Sequence, residues 1–308
     1  MASFIKKILV FILLTIVSIV LVMSFINNRL GDKITFKLDR NITSVVFGHS
    51  HPETAFNDSL IVNFKNMAQS GESYFYTLIK VRNVLAQNPQ IENVFIEFSN
   101  IDITQVRDQE IWSGKYINWR YPKYSSLMNI DEHLFLLRKN TASVLSTSPK
   151  VIRQSILRLN RKSYDLLAAT SGYMFLTENK IDAIENGTIK MEPLSDDFYV
   201  YATHNLKYLK EIVTLCESKN IKVHFVRSPM YKNVDYLKNE NLLQRLKDSL
   251  FPSIAYLDLV DFDLDKEDFR DLHHVNYKGA AKVSKWFNNH LLDLAIESPN
   301  SDNNERYK

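Results

Sequence analysis

Ser50 is the residue best placed in the sequence to act as a nucleophile. It follows Val45, Val46 and Phe47, an apolar run that is typical of a buried strand in a parallel sheet. Gly48 ends this run, and open α/β sheets bind their ligands beyond the carboxyl ends of the strands. A serine in this position can attack an acyl group, provided that the chain supplies a base elsewhere.

A base and a carboxylate to orient it lie far downstream, where Asp271 precedes His274 by three residues. Within one turn of chain the carboxylate can reach Nδ1 of the imidazole, which leaves Nε2 free to take the proton of a serine hydroxyl. His273 lies beside His274, but the spacing from Asp271 favours His274 as the base. The order Ser50, Asp271, His274 therefore predicts a catalytic triad built from both ends of the chain.

These residues resemble the conserved motifs of the SGNH (GDSL-type) hydrolase superfamily. Two motifs carry the resemblance: Gly48-x-Ser50 after the first soluble strand, and Asp271-x-x-His274-x-Asn276-x-x-Gly279 near the C-terminus. The chain is most similar to the membrane-anchored members that act on acyl groups of cell-envelope polysaccharides. The resemblance spans residues 43–102 and 221–293. It implies a three-layer α/β/α fold around a flavodoxin-like parallel sheet of about five strands.

The resemblance also implies an oxyanion hole, for which the family uses three donors. These are the backbone N–H of the nucleophile, a glycine N–H after the second strand and an asparagine side chain after the third. Gly71 and Asn100 stand at the last two places, and the loss of one such donor typically costs about 3 kcal/mol of transition-state stabilisation. The sequence departs from the family pattern at His49, where the family has aspartate, and at Phe98, where it has glycine.

Further residues near the predicted strand ends are candidates for substrate binding. They are His49, His51, Arg227, Trp112 and Trp119. The two tryptophans belong to a cluster of aromatic and basic side chains over residues 112–124. Such a cluster could stack on sugar rings or form the core of an inserted segment.

The pattern His49-x-His51-x-Glu53 also permits a metal-site interpretation, because imidazole and carboxylate groups bind zinc or manganese. In addition, Gly48-His49-Ser50-His51 resembles one short motif of calcineurin-like metallophosphoesterases. Those enzymes need a Gly-Asn-His element that the sequence lacks. We therefore predict neither a catalytic metal nor another cofactor.

The composition bounds the class of protein. The chain has 308 residues, a formal net charge of +3 and one cysteine. So small a net charge gives no argument for nucleic-acid binding. Cys216 can form no intrachain disulfide and no multi-cysteine zinc site.

An uncharged apolar stretch over residues 8–26 follows Lys6 and Lys7 and is long enough to cross a bilayer as a helix. No Ala-x-Ala-like cleavage site follows, so we predict an uncleaved membrane anchor over residues 1–27. The domain would occupy residues 28–296, and residues 297–308 would form a polar tail. Basic residues flank the stretch on both sides and do not fix its orientation. The resemblance implies a periplasmic or extracellular domain.

Apolar runs and helical periodicity predict alternating strands and helices in two parts of the chain. The strands are predicted over 43–48, 64–68, 94–98, 221–226 and 254–259, and the helices over 73–86, 203–217, 239–250 and 277–292. Such alternation indicates a parallel sheet with helices on both faces. The alternation breaks over residues 103–200, where we predict a mostly helical insertion.

The function that the resemblance implies is that of an extracytoplasmic serine esterase or O-acyltransferase. Its substrates would be acyl esters, foremost acetyl esters, of a polysaccharide or other envelope glycan, and a membrane acyl-donor protein is a further potential partner. Hydrolysis and transfer differ in how well the site excludes water. The alternative is a non-catalytic member that binds polysaccharide or serves as an assembly subunit.

Overall fold

The computed structural model describes residues 3–8, 10, 11, 14, 25, 26, 29, 30, 33–166, 170–190, 193–232 and 235–296, apart from the side chains of residues 236 and 292–296. The chain forms two compact units. We call Phe36–Ile111 with Leu167–Lys308 the sheet unit, and Met1–Thr35 with Trp112–Leu166 the helical unit.

The strands of the described residues all belong to parallel sheets. In chain order they are β1 (Ile34–Thr35), β2 (Ser44–Phe47), β3 (Phe64–Asn66), β4 (Asn93–Glu97), β5 (Tyr164–Asp165), β6 (Lys222–Arg227) and β7 (Ala255–Asp258). The α-helices follow the same order. They are α1 (Ser50–Ala55), α2 (Tyr74–Gln87), α3 (Gln105–Trp112), α4 (Gly114–Tyr124), α5 (Ile130–Lys139), α6 (Thr141–Leu159), α7 (Ile181–Glu185), α8 (His204–Glu217), α9 (Glu240–Leu250) and α10 (Tyr277–Ile296).

The sheet unit is built on a five-stranded parallel sheet with the order β3-β2-β4-β6-β7. The strands lie within a few residues of their predicted positions, so the α/β class and the parallel sheet are confirmed. The order is compatible with a flavodoxin-like fold. Because β2 and β4 are neighbours, the residues that follow them in the chain meet at one edge of the sheet.

The central strands are apolar because they are covered on both faces. Every residue of β2 and of β4 is buried, as expected for a parallel sheet between helices. On one face Val46 and Phe95 belong to the same core cluster as Val283 and Phe287 of α10. Helix α10 also contacts α1, so the last helix supports the segment that begins at Ser50.

The helical unit is held together mainly by contacts of α6 with α4 and α5. Strands β1 and β5 pair in a short parallel ladder, in which Ile34 faces Tyr164. The capping box of Asn129 and Glu132 begins α5, because each side chain accepts the backbone N–H of the other residue. Pro122 and Pro149 lie inside α4 and α6.

Two predictions fall largely outside the described residues. Of the apolar stretch 8–26 that predicts the membrane anchor, only residues 8, 10, 11, 14, 25 and 26 are described. The predicted polar tail 297–308 is not described at all. Within the part of the chain that is described, no helix combines the length and apolar character needed to cross a bilayer.

Candidate active site

The structure brings Ser50, His274 and Asp271 into one hydrogen-bonded chain. The distance between Ser50 Oγ and His274 Nε2 is 2.8 Å, and the distance between His274 Nδ1 and Asp271 Oδ1 is also 2.8 Å. A carboxylate can only accept hydrogen bonds, so Nδ1 of His274 carries the hydrogen and Nε2 accepts the hydroxyl of Ser50. This is the arrangement of a nucleophile, a general base and a carboxylate that orients the base.

Ser50 is presented by a sharp passage from β2 into α1. The structure has a helix that begins at Ser50, with His49 as its N-cap. Pro52 is tolerated because it lies in the first turn, where a backbone N–H has no acceptor inside the helix. Gly48 has φ of +152°, and a Cβ on it would lie 2.6 Å from Cβ of Glu97. Glycine is therefore required at this passage.

Asp271 and His274 are held by the backbone of their own loop. Oδ1 of Asp271 accepts the backbone N–H groups of His273 and His274, each at 3.0 Å. The N–H of Arg270 donates to the carbonyl oxygen of His274 at 2.8 Å, which closes the loop. Burial alone would raise the pKa of Asp271, but the hydrogen bond from His274 and the imidazole's charge lower it to about 2. Asp271 is thus ionised at neutral pH.

Asn276 and Gly279, which complete the downstream motif, support this loop. Nδ2 of Asn276 donates to the carbonyl oxygens of Glu267 and Phe269, at 2.7 and 3.1 Å. Its Oδ1 accepts the backbone N–H of Lys278 at 2.9 Å and so caps α10. A Cβ on Gly279 would overlap the carbonyl oxygen of Asp268. The spacing of the motif therefore reflects the packing of the loop against the start of α10.

Four imidazole rings form a cluster that includes His274, the hydrogen-bond partner of Ser50. The ring centroid of His51 lies 4.3 Å from that of His49, 5.4 Å from that of His274 and 6.2 Å from that of His273. Burial lowers the pKa of His49 and, more strongly, of His51. Burial and then the charge of His274 lower the pKa of His273 to about 4. His49 and His51 are almost fully buried, so the direct substrate contact predicted for them is not supported.

His49 is anchored by Asp102, which sequence reasoning missed. His49 Nε2 lies 3.2 Å from Asp102 Oδ2, and the same oxygen accepts the backbone N–H and the hydroxyl of Ser99, at 3.0 and 2.8 Å. Arg107 Nε lies 3.3 Å from the other carboxylate oxygen. Burial would raise the pKa of Asp102, but the charge and hydrogen bond of His49 lower it. The polar stretch that follows β4 was the available signal for Asp102.

A second buried carboxyl group, Glu97 at the end of β4, lies beside His51. Its Oε2 accepts the hydroxyl of Ser228 at 2.7 Å, and its Oε1 lies 3.7 Å from Nδ1 of His51. Burial, followed by the negative charge of Asp102, raises the pKa of Glu97 to about 8. No local pattern marks Glu97, because it has the position of an ordinary residue in an apolar strand.

The side chains of Asn100 and Arg227 are held in a buried network of polar contacts. Nδ2 of Asn100 donates to Asn239 and Glu240, each at 3.0 Å, and its Oδ1 accepts Nη1 of Arg227 at 3.0 Å. Arg227 is buried and also forms ion pairs with Asp258 and Glu240. The amide hydrogens of Asn100 are therefore used within this network. These contacts give no support to the oxyanion role predicted for Asn100 or to the substrate contact predicted for Arg227.

Gly71 lies in a turn that is attached to the nucleophile's segment. Its φ is +62°, a left-handed conformation that favours glycine. The N–H of Gln69, in the same turn, donates to the carbonyl oxygen of Gly48 at 3.0 Å. The hydroxyl of Ser70 donates to the carboxylate of Glu53 on α1. Gly71 therefore remains a candidate oxyanion donor.

An exposed pair of aromatic rings joins the start of α10 to a distant segment and was missed in the sequence. The rings of Phe175 and Tyr277 lie 5.2 Å apart and are 62% and 38% exposed. The segment of Phe175 is tied to α1, because the N–H of Met174 donates to the carbonyl oxygen of Glu53 at 2.8 Å. Aromatic side chains with one free face are suited to ligand contact.

The two tryptophans proposed to bind substrate belong to the helical unit. Trp119 is 40% exposed, and its ring is flanked by the cations of Arg120 and Lys123, at 4.7 and 5.0 Å from the centroid. The ammonium group of Lys139 lies 4.4 Å from the ring centroid of Trp112. These cation–π contacts account for the mixture of aromatic and basic residues that the sequence shows there.

Comparison with known proteins adds one partial match. Residues 179–295 match the model of an uncharacterised protein family. The matched segment contains Asp271 and His274 but not Ser50. No curated protein matches the chain.

Proposed function

We propose that this protein is a serine esterase or O-acyltransferase of the SGNH type, which acts on acyl esters of a cell-envelope glycan. The observation that carries the proposal is the hydrogen-bonded series of Ser50, His274 and Asp271, with both distances at 2.8 Å. The three residues come from opposite ends of the chain. The hydrogen bond to Asp271 fixes the tautomer of His274 whose Nε2 can accept the proton of Ser50.

In the proposed acylation step, Ser50 Oγ attacks the carbonyl carbon of the ester and passes its proton to Nε2 of His274. Asp271 stabilises the imidazolium that forms. The tetrahedral intermediate then collapses, the C–O bond to the sugar breaks, and the sugar oxygen takes the proton from His274. In the second step His274 deprotonates water or a sugar hydroxyl, which attacks the acyl-enzyme and releases Ser50. The first acceptor gives an esterase and the second an acyltransferase.

The negative charge of the tetrahedral intermediate needs preorganised donors. The backbone N–H of Ser50 opens α1 and has no acceptor inside that helix. The turn of Gly71 is hydrogen-bonded to Gly48, which supports the glycine as the source of a second donor. Asn100 is left out of the oxyanion hole because its side chain is used elsewhere.

The fold, the N-terminal stretch and the exposed aromatic rings also support the proposed function. The sheet order supports a three-layer α/β/α, flavodoxin-like domain. The uncharged stretch 8–26 supports a membrane anchor, with the domain outside the cytoplasm as in the proteins that the motifs resemble. The exposed rings of Phe175 and Tyr277 support a ring-shaped, partly apolar substrate such as a sugar.

The test is a search for an acyl-enzyme. The purified full-length protein is mixed with an aryl acetate and analysed by intact mass spectrometry, together with Ser50→Ala and with Ser59→Ala, a serine exposed on the surface. We expect one acetyl group on the protein and on Ser59→Ala, and none on Ser50→Ala. Unchanged turnover in Ser50→Ala would refute the mechanism. No acyl-enzyme and no turnover in the parent protein would favour the non-catalytic glycan-binding alternative.

A further inference from the structure

A compact set of metal-ligating groups includes the two residues that flank Ser50 in the chain and plays no part in the proposed serine chemistry. His49 and His51 follow β2, and Glu97 ends the neighbouring strand β4. One ligand atom from each residue lies within 4.8 Å of the others, and all three side chains are buried. We propose that His49, His51 and Glu97 form a binding site for a divalent transition-metal ion of the zinc class.

The orientation of His49 suits a metal ligand. Its Nε2 faces Asp102 at 3.2 Å and must donate to that carboxylate, which leaves the lone pair on Nδ1. That lone pair accepts only a long contact, of 3.4 Å, from the backbone N–H of His51 as the N-cap of α1, and a metal ion would have to replace this contact. Metal-binding histidines almost always donate their second nitrogen to a carboxylate or carbonyl in this way. Asp102 is itself fixed by Ser99 and Arg107. The supporting contacts of a metal ligand are therefore already present.

His51 supplies the second nitrogen of the proposed site. Its Nδ1 is buried and has no hydrogen-bond partner among the described residues. Buried polar atoms almost always have a partner, and each exception calls for an explanation, such as a bound ion. This nitrogen lies 3.7 Å from Oε1 of Glu97. The other carboxylate oxygen of Glu97 accepts the hydroxyl of Ser228, so the carboxyl group is oriented with one oxygen toward His51.

The separation between His51 and Glu97 suits a small cation. Two ligand atoms that are each about 2.1 Å from a tetrahedral zinc ion lie roughly 3.4 Å apart. The observed 3.7 Å between Nδ1 of His51 and Oε1 of Glu97 is close to this value. Two imidazole nitrogens and one carboxylate oxygen suit zinc, cobalt or manganese, whereas calcium and magnesium favour all-oxygen sites. Gly48 permits the approach, since a Cβ there would strike Glu97.

The ligands are not those that the sequence suggested. In the pattern His49-x-His51-x-Glu53 the carboxylate was Glu53, but that side chain accepts the hydroxyl of Ser70. Glu97 takes its place from the adjacent strand. Because His49 and His51 flank Ser50 in the chain, a metal held by both would fix the residues on either side of the nucleophile to β4. The ion would act on the position of Ser50 and would take no part in bond breaking.

The test measures metal content and needs no substrate. The purified full-length protein is stripped with a chelator, incubated with Zn²⁺ or Co²⁺, separated from free ions and analysed by elemental mass spectrometry. We expect one equivalent of metal, a visible absorption spectrum of Co²⁺ in a low-symmetry site, and a thermal midpoint several degrees above that of the stripped protein. Retention of only trace metal for both ions would overturn the proposal.

Variants locate the ion. Glu97→Gln and His51→Asn should each lower the retained metal at least tenfold and abolish the cobalt spectrum, whereas His290→Gln, a histidine at the far end of α10, should retain one equivalent. Circular dichroism of the stripped variants checks that they fold. Full retention in folded Glu97→Gln would place the metal elsewhere and refute the site. Because acyl-enzyme formation is measured separately, failure of the metal site and failure of the serine mechanism give different results.

Discussion

The role of Asp271 can be tested by two substitutions that differ in what they leave behind. Oδ1 of Asp271 accepts three hydrogen bonds, from the backbone N–H groups of His273 and His274 and from Nδ1 of His274. In Asp271→Asn the amide oxygen should keep this position, because an NH₂ group there would face three donors. The NH₂ group then replaces Oδ2, which lies 3.0 Å from Arg270 in an ion pair.

Asp271→Asn should therefore preserve the tautomer of His274 but remove the charge that stabilises its protonated form. Two unit charges 4 Å apart interact by about 4 kcal/mol at an effective dielectric constant of 20, which is about a thousandfold in rate. Asp271 and His274 are 17% and 21% exposed, so solvent screening should reduce the loss in kcat to about a hundredfold. Asp271→Ala also removes the acceptor that fixes the tautomer, and we expect a loss of about 10⁴.

The assay is steady-state hydrolysis of an aryl acetate at neutral pH, with kcat and KM determined separately. The structure predicts that both substitutions lower kcat and leave KM nearly unchanged, since Asp271 touches His274 and not the substrate. Asp263→Asn, an exposed carboxylate in the loop after β7, is the matched control and should keep full activity. Equal losses in Asp271→Asn and Asp271→Ala would refute the tautomer argument, and full activity in Asp271→Ala would refute the triad.

Three further predictions concern stability and reactivity. Asn100→Ala should lower the free energy of unfolding in urea by about 1–3 kcal/mol and leave kcat nearly unchanged, because the partners of Asn100 are Asn239 and Arg227. A loss of kcat without a loss of stability would instead support an oxyanion role for Asn100. Asp271 has a pKa of about 2 in the folded protein and about 3.9 in the unfolded chain. Ionised Asp271 should therefore contribute ~2 kcal/mol to the free energy of unfolding above pH 5 and lose this contribution as the pH falls from 4 to 2. The free energies of unfolding in urea of the parent protein and of Asp271→Asn should converge across this range. Burial raises the pKa of the Cys216 thiol to about 12, so iodoacetamide should modify it slowly until urea unfolds the chain, and rapid modification of the folded protein would contradict the burial.

The sheet and the proximity of Ser50, His274 and Asp271 were predictable because each depends on signals that are local in the sequence. Strand β2 is an apolar run that ends in glycine, and Asp271 and His274 are three residues apart in one loop. Parallel topology then places the carboxyl ends of the strands at one edge. The contact between Ser50 and His274 follows from these facts, although the residues are far apart in the chain.

The roles of Asn100 and Arg227 were not predictable because they depend on partners that fold in from distant segments. Both residues follow or end a strand at the expected edge, and sequence position alone suggested a place in the site. Their side chains instead meet Glu240 at the start of α9, and Arg227 also meets Asp258 of β7. Nothing in the local sequence of either residue indicates which distant carboxylate will neutralise the guanidinium group. Burying that group unpaired would be costly, so the pairing determines where the two side chains lie.

Gly48 offers a test of how closely the fold of the site and its chemistry are joined. A Cβ at this position would lie 2.6 Å from Cβ of Glu97 and 2.8 Å from Cγ of Pro52. Both neighbours are rigidly placed, so Gly48→Ala should lower the free energy of unfolding by about 1–3 kcal/mol through overpacking. Because any relief must move the segment that begins at Ser50, acyl-enzyme formation should also slow.

Gly172→Ala is the matched control for Gly48→Ala. Gly172 also has positive φ, +125°, but a Cβ there would meet no atom within 4 Å. It therefore carries the backbone strain of about 1 kcal/mol without the steric overlap. We expect Gly172→Ala to lose some stability and to keep its rate of acylation, whereas Gly48→Ala should lose both. Equal rates of acylation in the two variants would mean that displacing the contact between β4 and the start of α1 has no effect on the nucleophile. Ser50 would then not be held in place by that contact.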